Sequence, residues 1–149
     1  MKLSRCLLPA ALLTITLAVW SCSKCNNGKP KISIESINSP IQAQEQVDAL
    51  LKFSSGSKLS KGTLLAIRDR LNVAPPPVGV DKSGTDTLHI PIPEFAADKG
   101  EFEFVMSYDD YLHFSDGLND TLQFKFAAID ANGTSSDTVT SSKIVVLNP

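Results

Sequence analysis

Leu122-Gln123-Phe124-Lys125-Phe126-Ala127-Ala128-Ile129-Asp130-Ala131-Asn132-Gly133 is the stretch on which the fold turns. Leu122, Phe124, Phe126 and Ala128 recur with period two against Gln123 and Lys125, the pattern of a strand with one buried face. Asp130-Ala131-Asn132-Gly133 then marks a hairpin, because Asn and Gly accept positive φ. Val139 to Leu147 returns as the final strand. Upstream, Phe102, Phe104, Met106 and Tyr108 fall on one face, with Glu101, Glu103 and Ser107 on the other.

The pattern extends towards the N-terminus. Lys31-Ile32-Ser33-Ile34-Glu35-Ser36-Ile37 alternates and is closed by Asn38-Ser39-Pro40. Val47, Ala49, Leu51 and Phe53 alternate likewise before the turn Ser54-Ser55-Gly56-Ser57. Thr63 to Asp69 gives a third strand, with Leu64-Leu65-Ala66-Ile67 also compatible with the start of a short helix. Val73 to Gly84 holds Pro75-Pro76-Pro77, Gly79 and Gly84, a composition for a surface loop. In Thr87-Leu88-His89-Ile90-Pro91-Ile92-Pro93 the two prolines restrict the strand to a sheet edge. About seven strands separated by turn signals, with no clear helix, describe an antiparallel β-sandwich over residues 31–149.

The chain has 149 residues and a net charge of −2. Its start is of another kind. Lys2 and Arg5 precede an apolar run of 14 residues, Leu7 to Trp20, which is too short to span a bilayer as a helix but suits the core of a secretory signal. Val19-Trp20-Ser21-Cys22 resembles the lipobox of a bacterial lipoprotein signal, with Trp20 an unusual residue before Ser21. That resemblance implies a signal peptide over 1–21, cleavage before Cys22, and a lipid on Cys22 that makes the membrane its first partner. Residues 22–30, polar and carrying Asn26-Asn27-Gly28 and Pro30, form the tether. Removing 21 of the 149 residues leaves 128, one domain in size, and takes Lys2 and Arg5 away, so the net charge moves to −4. A mildly acidic chain without Lys/Arg clusters argues against nucleic acid. Cys6, Cys22 and Cys25 make no disulfide framework, and Cys22-Ser23-Lys24-Cys25 lacks the second ligand pair of a zinc site.

The stretch from Asn119 to Asp137, with its Asp-Ala-Asn-Gly turn and Ser/Thr-rich exit, resembles the closing hairpin of bacterial immunoglobulin-like and fibronectin type III-like modules. With the lipobox it is similar to the short β-sandwich lipoproteins of Bacteroidota-type bacteria. The resemblance implies an immunoglobulin-like sandwich that acts as a binding or adhesion module. The antibody-type Cys pair and core Trp are missing, and no functional residue transfers.

Candidate chemistry is sparse. His89 sits on the outer face of the proline-containing strand. His113 lies in Tyr108-Asp109-Asp110-Tyr111-Leu112-His113-Phe114-Ser115-Asp116, where neighbouring residues do not converge as a triad and no Gly-x-Ser-x-Gly elbow exists. Tyr111, His113 and Phe114 are the candidates for a ligand loop. Asp109, Asp110, Asp116 and Asp120 supply the hard oxygens calcium prefers, although turn chemistry explains them as well and no EF-hand pattern is present. Asp86-Thr87-Leu88, Asp120-Thr121-Leu122 and Asp137-Thr138-Val139 resemble the Asp-Thr-aliphatic acceptor motif of exported Bacteroidota proteins, which makes Thr87, Thr121 and Thr138 candidate O-glycosylation sites. Each triplet also suits the start of a strand.

These observations lead to three expectations. The first is a non-enzymatic, membrane-anchored binding module that contacts protein or glycan through loops around 73–86 and 108–120, with no cofactor. The second is an accessory subunit of an envelope assembly that contributes a strand edge, favoured if an edge is unpaired and free of proline. A hydrolase ranks last. Ser23-Lys24-Cys25-Asn26-Asn27 lacks the acidic residues that often follow the cysteine in surface-exported lipoproteins, which points to the periplasmic face of the outer membrane.

Overall fold

The computed structural model describes residues 29–54, 59–72, 85–95, 97–112 and 118–147. Eight strands follow in order: β1 (Lys31–Ile37), β2 (Gln46–Ser54), β3 (Thr63–Arg70), β4 (Thr85–Pro91), β5 (Lys99–Ser107), β6 (Asp120–Ile129), β7 (Val139–Thr140) and β8 (Ile144–Val146). One π-helical turn, Tyr108–Leu112, follows β5. A three-stranded sheet of order β1-β2-β5 faces a five-stranded sheet in which β4, β3, β6 and β7 run side by side and β8 also pairs with β6. All strand pairs are antiparallel, so the architecture is the expected sandwich.

Period-two alternation sorts the side chains. Val47, Ala49, Leu51, Phe104 and Met106 point inward from the smaller sheet, and Leu64, Ala66, Leu122, Phe124, Phe126 and Ala128 from the larger one, all buried. Between the layers Phe104 meets Phe126 edge-on, with centroids 5.0 Å apart, while Phe124 and Phe126 stack at 5.9 Å. Leu64 to Ile67 lie within β3 and not in a helix.

The expected final strand is divided in two. Ser136 and Ser141, both buried, replace normal ladder pairing in the same way. The Ser136 N–H donates to Ala128 O (2.7 Å), and its Oγ accepts the Ala128 N–H (2.8 Å). Ser141 repeats this on Phe124, at 2.8 Å and 3.0 Å. Each hydroxyl then donates to the next carbonyl, of Asp137 and Ser142 respectively. The serine thus supplies the acceptor that an irregular strand takes away, so the Ala128 and Phe124 amides stay bonded while the register slips. Ser141→Ala leaves the buried Phe124 N–H without that acceptor, and a loss of about 1–3 kcal/mol in denaturant unfolding is expected.

Strand directions create two poles. Lys31 pairs with Ser54, and Ser54 with Lys99, so the expected tether leads into the sandwich at the pole where β2 ends and β5 begins. The Asp130–Gly133 turn lies there too, with Gly133 at φ 83° and the Asp130 carboxylate accepting the Asn132 and Thr134 N–H groups. The strand ends Arg70, Thr85, Ser107 and Asp120 gather at the opposite pole.

Candidate functional site

The four sheet edges are not equivalent. β1 carries a register shift between Ile34 and Ser36, lies against β6 and β7, and is tied down by the Lys29–Asp137 ion pair. β8 is covered by Ile41, which bridges Val146 in parallel, donates to Val145 O and accepts from the Leu147 N–H. β4 ends in Pro91, with Pro93 just beyond. β5 has none of these protections. It is nine residues long, regular and proline-free, and pairs on one side only, with β2, among the described residues. No described strand pairs with its far side, whose backbone donors and acceptors form a template for another strand.

A hollow lies beside this edge. The larger sheet has five strands and the smaller one three, and residues of β4 and β5 line the gap between them. β4 pairs with β3 in the larger sheet, which leaves β2 as the one strand paired with β5 among the described residues. The inward-facing Leu88 and Ile90 of β4 are accordingly only half-buried, whereas their neighbours on β3, Ala66 and Leu64, are fully covered. Between the two edges remains a cavity of about 240 Å³, floored by Leu64, Ile90, Ile92, Phe102 and Phe104 and rimmed by Glu103 and Val105. A broader depression of about 880 Å³ at the tether pole is more open, and its Lys52 is already engaged.

The outer face of β5 carries Lys99, Glu101, Glu103 and Val105. Lys52 of β2 lies between Glu35 (2.8 Å) and Glu101 (3.6 Å), and the hydrogen bond that its ammonium donates to Glu35 raises its pKa above the ordinary value, against the opposing effect of desolvation. Glu103 lies opposite Leu50 and has no ion partner among the described residues. Val105, 47% exposed, follows it on the same face. The arrangement suits one kind of chemistry: backbone hydrogen bonding along β5, apolar side chains entering the hollow, and positive charge beside Glu103.

The residues singled out from sequence do not form one site. Cys22, His113, Phe114 and Asp116 lie outside the described residues, as do 73–84 of the expected 73–86 loop. Asp109, Asp110 and Tyr111 fall in the π-helical turn at the pole far from the tether, with Asp109 exposed. Asp120 requires a correction. It is no loop ligand: it opens β6, is completely buried, and accepts a hydrogen bond from Arg70 Nε at 2.5 Å. A carboxylate committed to an interior guanidinium is not available to an external cation. Asp130 and Asn132 sit at the other pole from Asp109, so the two acidic groups do not combine. Among the described residues no three His, Cys, Asp or Glu side chains come together as a metal-holding group. Thr87 and Thr138 are exposed, while Thr121 is half-buried between β3 and β8. His89 faces outward from β4 as expected, and Tyr108 belongs to the core.

Two features escaped the sequence reading. Arg68 and Arg70 occupy inward positions of β3, with Arg68 Nη2 3.7 Å from Asp86 and Arg70 on Asp120. Their i, i+2 spacing after Leu64 and Ala66 was the available signal. The open β5 edge leaves no mark in its own residues.

On the outer face of β3, Asp69 accepts from Lys125 Nζ (2.6 Å) and Thr85 Oγ1 (2.9 Å). The Lys125 bond, aided by Thr85 and opposed by partial burial, holds this carboxyl below the ordinary aspartate range. A depressed carboxylate stabilises the fold above its unfolded pKa and loses that contribution as pH falls through the folded one. Asp69→Asn is therefore expected to flatten the loss of stability between about pH 5 and pH 2, measured by urea unfolding across that range.

No known protein family matches this chain, and no curated protein matches it at a significant level.

Proposed function

We propose that this protein is a lipid-anchored, extracytoplasmic, non-enzymatic binding module that engages its partner by strand addition at β5. The observation that carries the reading is the regular, proline-free β5 edge beside an uncovered apolar hollow. Strand addition takes affinity from main-chain hydrogen bonds and specificity from alternate side chains entering pockets, and the β5 edge offers both elements. Cys22 carries the lipid, residues 22–30 form the tether, and the domain faces the periplasm from the outer membrane, as a binding module or as an accessory subunit of an envelope assembly. Cys22→Ala is expected to move the protein from the membrane to the soluble fraction, or to leave the precursor uncleaved.

A second reading has its own support. The strand ends bracketing 73–84 and the turn at Tyr108–Leu112 all lie at the pole opposite the tether, where loops would meet a protein or glycan first. Photo-cross-linking in intact cells separates the two. A photoreactive residue at position 105 of the full-length protein is expected to give a discrete adduct, and one at Ser33, on the outer face of β1, is not. Adducts from position 109 alone would favour the loops. Adducts at none of the three positions would overturn the binding role.

A further inference from the structure

The β5 edge carries information about what it binds. Resting on the strand-addition reading above, we infer that its partner is an extended segment of a different protein in which basic and apolar residues alternate. A strand added to β5 continues the pleat of the smaller sheet, so its residues opposite Phe102 and Phe104 point inward and those opposite Glu103 point outward. The inward set enters the hollow above Ile90 and Ile92, which has room for small apolar side chains and lies among carbon-rich walls. The outward set meets Glu103, a carboxylate without an ion partner among the described residues, and Glu101, held only at 3.6 Å by Lys52. Directly opposed unlike charges stabilise strand pairs and like charges oppose them, so the complementary residue is Lys or Arg.

The same charges disfavour a second copy of this chain in the registers centred on Phe102 and Glu103. Twofold pairing of β5 with itself, centred on Phe102, sets Glu101 against Glu103. Centring it on Glu103 sets that residue against its own copy, whereas centring it on Glu101 also brings Lys99 opposite Glu103, the register that a dimer would use. The hollow and the carboxylates thus select different halves of one partner: Phe102 and Phe104 its apolar residues, Glu103 its basic ones.

The test uses the full-length protein in detergent micelles and three synthetic nine-residue peptides alternating Lys with Val, Glu with Val, and Lys with Ser, followed by fluorescence anisotropy. The Lys–Val peptide is expected to bind about tenfold more tightly than the Glu–Val peptide and to weaken as salt rises. The Lys–Ser peptide, which leaves the hollow unfilled, is expected to bind least well of the Lys pair. Glu103→Lys, an exposed substitution on the outer face, is expected to reverse the preference between Lys–Val and Glu–Val. Equal affinities for those two peptides would overturn the charge match. No binding of any peptide would overturn the partner chemistry, while the position-105 cross-link in cells would still report independently on strand addition. A concentration-dependent dimer that Glu103→Lys abolishes would overturn the inference in favour of self-association.

Discussion

Asp120→Ala is expected to lower the folding free energy by about 3–5 kcal/mol, a large share of the 5–15 kcal/mol typical of a domain. Both partners of the Arg70–Asp120 pair are out of solvent: the Arg70 side chain is 4% exposed and that of Asp120 not at all. Transferring two charges from water into the interior is costly, and the cost is repaid by their mutual attraction and hydrogen bonding. Removing the carboxylate alone strips the balance from a buried guanidinium. With a urea dependence near 2 kcal/mol per molar, the unfolding midpoint falls by about 2 M. Replacing both partners with apolar residues, Arg70→Met with Asp120→Leu, is expected to recover a large part of the loss, since both charges of the pair are then removed together. If the single variant unfolds at the native midpoint, the pair does not hold these two strands.

Phe126→Ala is the second large effect, a loss of about 3–5 kcal/mol in the same measurement. Phe126 is fully buried on central strand β6, stacked on Phe124 and edge-on to Phe104 across the two layers. Truncation removes the transfer energy of the ring and leaves a void bounded by strands that cannot collapse into it. Phe102 makes the contrast. It lies on the inner face of β5 too, but at the hollow and only half-buried, so Phe102→Ala is expected to cost clearly less stability while weakening partner binding. Equal costs at the two positions would mean that the hollow is filled core and no binding surface.

The two expectations differ in how far the sequence reveals them. The alternation that buries Phe126 is legible because a strand's side-chain period is local, and β1, β5 and β6 lie where that period places them. The division of the last strand is not, because Ser136 and Ser141 do their work by bonding backbone of β6, which sequence presents only as nearby serines. Asp120 reads as a loop acid for a related reason. Its partner Arg70 is 50 residues away, and nothing local distinguishes a carboxylate that meets water from one that meets a guanidinium. The β5 edge is hidden more completely still. Phe102 and Phe104 alternate with Glu101 and Glu103 whether β5 has one neighbour or two, and only the strand order shows that β4 pairs with β3 and not with β5.

Amide hydrogen exchange along residues 99–107 tests strand addition most directly. In the uncomplexed protein, amides bonded to β2 are expected to exchange slowly and the alternate amides, which face away from it, quickly. Binding of the Lys–Val peptide, or of the native partner, is expected to slow that second set and leave the first unchanged. Slow exchange of both sets in the uncomplexed protein, or a fast set that stays fast when the partner is bound, would contradict strand addition at β5.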